Sequence, residues 1–230
     1  MILNRALFAL VLSVSASLTP QVMAAELNIK LVDLQQQAIA DTVVELIPAV
    51  MPDKAMPDKA MPVGHYEMSQ KNRTFIPFVL AVPKGAKVDF PNLDRTRHHV
   101  YSFSEAKPFE LKLYVGQAEA PIQFDKPGLV ALGCNIHDYM QAFIYVADSP
   151  IVAVTDEKGE IQFKDLTAGQ YKVKLWHPWQ KAASEPTELM LTTGANQLSL
   201  SLDIERQAKP SAPPSGFGHY DAQGKPLHAK

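Results

Sequence analysis

Gly128-Leu129-Val130-Ala131-Leu132-Gly133-Cys134-Asn135-Ile136-His137-Asp138-Tyr139-Met140-Gln141-Ala142-Phe143-Ile144-Tyr145-Val146 is the stretch that decides the fold class. Its two ends, Gly128 to Gly133 and Gln141 to Val146, are short apolar runs of strand length, and the middle is a compact loop. Working upstream, Phe78 to Val82, Lys87 to Phe90, His99 to Phe103 and Phe109 to Tyr114 read the same way. Pro83-Lys84-Gly85, Asn92-Leu93-Asp94 and Lys126-Pro127-Gly128 punctuate them as turns. Regular short strands separated by turn residues predict an all-β sandwich or barrel over 75–148.

The pattern continues on both sides. After Asp148-Ser149-Pro150 a second β pattern runs over 149–205, with Thr155 to Gly159 as a turn and Val173 and Leu175, Glu188 to Thr192 and Gln197 to Asp203 as strands. Residues 25–50 hold two more strands, marked by Leu27, Ile29 and Leu31, then Val44 and Leu46. Between them and the central block, Met51-Pro52-Asp53-Lys54-Ala55 is repeated and begun a third time, and proline every fifth residue stops both helix and sheet. We expect 51–74 to be a linker and 206–230, rich in Pro, Gly and Lys, to be a disordered tail.

Residues 1–24 read as a secretory signal, with Arg5, the apolar run Ala6 to Leu18, and small residues at Val22 and Ala24. The run is too short to span a bilayer, so a periplasmic location with no stable membrane insertion is expected. The chain has 230 residues, a formal charge of −2 and 47% hydrophobic residues, which supports a real core and gives no sign of a nucleic-acid partner, though a local charged patch on one face remains open. A single cysteine, Cys134, cannot form an internal disulfide in an oxidising compartment, so it is either buried and inert or held by a metal.

The loop favours a metal. Cys134, His137 and Met140 form Cys-x2-His-x2-Met, and blue copper chemistry needs a thiolate and two imidazoles in a plane with a weak axial thioether. The second imidazole is His98 or His99; strand alternation supports either, since His99 shares a face with Tyr101 and His98 with Val100. Zinc could use two histidines and a cysteine but has little use for Met140. His177 reads as structural or surface, and His65, His219 and His228 as bystanders. No nucleophile motif, phosphate loop or second metal cluster is present, and a filled ligand set leaves no open position, so no enzyme activity is expected.

Phe90-Pro91-Asn92, His98-His99-Val100, Pro127-Gly128 and the Cys134, His137, Met140 loop together resemble the cupredoxin family, with a ligand loop like that of amicyanin. The resemblance implies a Greek-key sandwich over 75–148 and, because the first copper histidine follows the asparagine by six residues, His98 as the ligand. Cupredoxins place Asn after that histidine; His99 stands there instead, to act on the ligands through a ring nitrogen or to leave the centre tuned differently. Thr155-Asp156, Gly159, Leu166, Gly169, Tyr171 and the strand Leu198-Leu200-Leu202 resemble a carboxypeptidase-regulatory or transthyretin-like sandwich whose opening strands are missing from 149–205. Residues 25–50 look like that opening, which implies a copper domain inserted into the outer sandwich; the alternative gives 25–50 to the copper domain. The layout resembles exported methylamine utilization proteins. It implies one type 1 copper and single-electron transfer to a periplasmic partner such as a dehydrogenase or c-type cytochrome. A copper carrier, or a structural sandwich with a degenerate metal site, are the other readings. Ile136, Tyr139, Pro83 and Pro108 are the expected apolar docking rim.

Overall fold

The computed structural model describes residues 24–50, 66–118 and 120–211; the signal, the Met-Pro-Asp repeat, His65, His219 and His228 lie outside them. The chain is all-β, and among the described residues no helix is long and apolar enough to cross a membrane. Strand β1 (Ala25–Val32) buries every second residue, and Leu27, Ile29 and Leu31 face one core. It pairs antiparallel with β14 (Glu160–Leu166) and parallel with β17 (Gly194–Ser201), with Ile29 opposite Ile161 on one side and Leu198 on the other. Strand β2 (Val43–Pro48) is likewise central. It lies between β13 (Ile151–Val154) and β15 (Gly169–Trp176), with β16 (Thr187–Leu191) at the edge.

Each sheet of the outer sandwich therefore takes its middle strand from the N-terminal segment. Without β1 or β2 the remaining strands of that sheet lose their shared hydrogen-bonding partner. Leu46 stands opposite Ile151, and Ser149 Oγ donates to Leu46 O at 2.5 Å, so the chain leaves and rejoins the outer sandwich at adjacent points. This is the geometry that tolerates an inserted domain. The inserted fold is the one expected, and the alternative placing 25–50 in the copper domain fails on strand pairing.

The inserted domain carries a five-stranded sheet, β6 (Val79–Pro83), β12 (Gln141–Ala147), β11 (Gly128–Cys134), β8 (His98–Ser102) and β9 (Phe109–Tyr114), in that order. Facing it are β10 (Ile122–Phe124), β7 (Ala86–Asp89) and β3 (Tyr66–Glu67), with a small hairpin of β4 (Ser69–Lys71) and β5 (Thr74–Ile76) beside them. Phe90, Val100, Phe124, Val130, Leu132 and Ile144 form the core between the layers. Residues 66–74 were expected in the linker; they are strand and turn instead. Their polar letters hide the fact that Met68 and Gln70 are fully buried. The start of the expected tail is also placed, because Arg206 Nε donates to buried Asp33 at 2.6 Å and Lys209 lies 2.5 Å from Asp41.

A third core joins the two bodies. Ala142, Ile144 and Val146 of β12 point into the inserted domain, while Tyr145 and Ala147 point out, against Val43, Val152 and Trp176. A strand buried on both faces explains why 142–147 is almost continuously apolar. Glu45, 1% exposed, lies in this junction and accepts from Tyr145 Oη and Ser149 N, each at 2.8 Å. Burial and the Glu45 charge push the Tyr145 phenol far above its usual range.

His177 is 2% exposed, and its Nδ1 accepts the Trp179 N–H at 3.1 Å. Burial holds its pKa down at about 4, against 6.5 for a free imidazole. The unfolded chain therefore binds a proton between those values that the folded chain refuses, and stability falls as pH drops from 6.5 towards 4, by roughly 3 kcal/mol for the single group. Urea midpoints across that window will show the decline, and His177→Gln will flatten it. A second expectation concerns the insertion. A protease site placed within 51–65 and cleaved should leave 25–50 co-eluting with the rest of the chain under native conditions, and separating in denaturant.

Candidate metal centre

Cys134 is the last residue of β11, buried and opposite Val100 of β8. On β8 the inward residues are His98, Val100 and Ser102, so the imidazole of His98 is fully buried beside the thiol, while His99 faces outward. The His98 and His137 Nδ1 atoms each lie 3.8 Å from Cys134 Sγ. The ligand atoms of these side chains all fall within 4.8 Å of one another, and the imidazole centroids are 5.0 Å apart. An ion bonded at about 2.3 Å to sulfur and about 2.0 Å to nitrogen, with bonds spread at 120°, leaves a sulfur–nitrogen edge of about 3.7 Å. Both sulfur–nitrogen edges match an ion of that size.

The loop closes through Met140 N donating to His137 O at 2.9 Å. Met140 is fully buried and lines the same cleft as Cys134. Burial holds the His137 pKa below its usual value, and the neighbouring His98 and Arg73 charges push the same way, so at neutral pH its ring is uncharged and able to donate a lone pair. Gly133, next to the thiol, has no room for a side chain: a Cβ there would meet the Tyr101 ring at 2.7 Å.

His98 is oriented from behind. Its Nε2 lies 2.9 Å from Asp94 Oδ2. The same carboxylate accepts the backbone N–H groups of Asn72 and Arg73, both at 2.8 Å. Those residues have φ of 54° and 57° at the tip of the β4–β5 hairpin, the left-handed pair that a two-residue turn requires. Burial opposes the Asp94 charge, but the bonds from Arg73, His98 and Asn72 outweigh it and hold the carboxyl below its ordinary range. With its Nε2 proton on Asp94, His98 presents Nδ1 to the cluster. Asn92 fixes the loop that carries Asp94 by donating to Thr96 O at 2.9 Å and Tyr114 O at 2.7 Å and accepting from Asp94 N at 2.9 Å.

Sequence reading missed Asp94 and the Asn72-Arg73 turn. The signal was present as an acidic residue four positions before His98, but its partners come from a hairpin that reads as linker. Tyr114 was also missed; it donates to Phe90 O at 2.5 Å and accepts from Gln70 at 2.7 Å, and burial pushes its phenol up to about 12. His99 does not act on the ligands through its ring. Its Nε2 lies 2.8 Å from Glu110 on the outer face, out of line for a hydrogen bond, and what ties the ligand segments is its backbone carbonyl, which accepts Asn135 N at 3.2 Å. The expected docking rim is also corrected. Pro83 stands opposite Ala147, at the far end of β12 from the ligand loop, and Pro108 precedes Phe109, which stands opposite Ser102, part-way down the sheet from Cys134.

No family model and no curated protein matches the chain. Similar solved structures include a reduced Cu(I) form of an amicyanin variant, 20% identical with a TM-score of 0.33, over 36% of this chain and 83% of that one. Another reduced amicyanin variant is 16% identical with a TM-score of 0.34, over 46% of this chain and 99% of that one. A copper-containing nitrite reductase from Thermus scotoductus is 26% identical with a TM-score of 0.35, over 41% of this chain and 27% of the enzyme. The likeness covers less than half of the chain, and the metal centre stands on its own geometry. The last similarity overturns the expectation that the chain is no enzyme.

Replacing Asp94 by Asn removes the charged acceptor of the His98 proton while leaving the ligands in place. Metal affinity, read by competition with a chelator, should fall by about 10–100-fold.

Proposed function

We propose that His98, Cys134, His137 and Met140 hold one copper ion as a type 1 centre, and that the chain carries single electrons between periplasmic redox partners, with amine oxidation as the setting its layout suggests. The observation that carries this reading is the pair of imidazole Nδ1 atoms, each 3.8 Å from a buried thiol. When bound, the copper supplies a one-electron couple between Cu(I) and Cu(II).

The protein contributes rigidity, exclusion of water and a port. Cys134 and His98 sit on adjacent strands of one sheet, so their separation is set by backbone hydrogen bonds. Asp94 holds the His98 tautomer, and Met140, fully buried at the end of the ligand loop, would supply the thioether. A site held this way resists the change of geometry that each oxidation state would otherwise favour, which keeps the cost of reorganisation low. His137 is the one imidazole of the set with solvent exposure, which makes its outer edge the route for the electron.

Adding Cu(II) to the purified mature chain should give an intense visible thiolate-to-copper band, absent in Cys134→Ser. His98→Ala should lose the band and His99→Ala should keep it. A colourless unmutated protein would end the reading, and a band that fades as copper passes to a mild chelator would favour a carrier.

A further inference from the structure

The end of the domain that carries the ligand loop is ringed by cations. Lys71 and Arg73 occupy the β4–β5 hairpin tip and Arg95 and Arg97 the loop before His98, all exposed. Arg73 is close enough for its charge to act on His137. None of these cations has a salt-bridge partner among the described residues. The acid in their midst, Asp94, is already engaged by His98 and the hairpin, which leaves Asp138 as the exposed carboxylate of the ligand loop. Within the ring lie Leu93, 59% exposed, and Ile136, 44% exposed. The chain as a whole is formally −2, so this is an island of positive charge on a molecule that is otherwise net negative.

We propose that this collar is the docking surface for a redox partner protein that surrounds its own electron port with carboxylates. The inference rests on the electron-transfer reading and adds the chemistry of the partner. A positive pole around the His137 edge on a net negative body makes the molecule a dipole, which turns that edge towards an acidic face during approach. The apolar Leu93 and Ile136 then allow close contact once the charges have met. Two copies would present like charge to like charge, so a second copy of this chain is a poor occupant.

Cytochrome b5, an acidic haem protein, serves as the probe, and basic cytochrome c as its counterpart. Stopped-flow reduction of the copper-loaded chain by reduced cytochrome b5 moves one electron from haem Fe(II) to Cu(II), giving Fe(III) and Cu(I) with no bond made or broken. Its rate should fall by about tenfold or more between low and physiological ionic strength. Lys71→Glu with Arg95→Glu should lower the low-salt rate by about tenfold and leave the spectrum unchanged, whereas Lys158→Glu with Lys164→Glu on the outer sandwich should have little effect. Binding is also read without metal, from amide shifts of the metal-free chain titrated with oxidised cytochrome b5, and these should cluster at 71–73, 93–97 and 135–138. A colourless protein whose shifts still cluster there would sink the copper reading and keep the collar. A preference for cytochrome c, shifts located elsewhere, or equal effects of the two charge reversals would overturn the collar, as would sedimentation with vesicles containing phosphatidylserine that the collar variant abolishes.

Discussion

Cys134 stands opposite Val100 in the antiparallel pairing of β11 with β8, and the ligand set follows from that register. Side chains alternate along a strand, so a slip of a single residue would turn His98 out to the surface and bring His99 to the thiol. The register is over-determined. Val100 and the inward residues of β11 are buried in one core, the Tyr101 ring lies across Gly133 where no side chain fits, and Asn135 N bonds the carbonyl of His99. The His99 ring is held on the outer face near Glu110, which leaves it no route inward.

Around that register the protein builds a frame of polar contacts. Asp94 is the joint between the hairpin tip and the first imidazole, and Asn92 and Tyr114 lace the loop behind it. Charge-assisted bonds of this kind are shorter and stronger than neutral ones and hold a side chain in one orientation. The outer sandwich adds a second restraint, because β12 is part of the metal domain on one face and part of the inter-domain core on the other.

The β class, the outer sandwich and the Cys134, His137, Met140 loop were legible because they are local. Alternation, turn residues and ligand spacing all lie within a few positions of one another. The choice between His98 and His99 was not, since both faces of β8 are apolar enough to be inward and only the partner strand decides. The hairpin at 69–76 was hidden for a different reason. Its residues are mostly polar, and Gln70 is buried because it satisfies Phe90 O and Tyr114 Oη rather than because it is hydrophobic. Pro83 misled because proline near a strand marks a turn without saying at which end of the sheet it falls.

The parallel pairing of β1 with β17 sets how the molecule would respond to mechanical load. The described chain begins at one end of this pair and, after Ser201, continues from the other. Tension between the two termini therefore shears the whole ladder from Ala25 opposite Gly194 to Val32 opposite Ser201, a geometry in which the hydrogen bonds share the force instead of unzipping in turn. The metal domain, hung between Pro48 and Ile151, lies outside that line of force, so a chain tethered at either end could be pulled without straining the bonds that hold Cys134 beside its imidazoles.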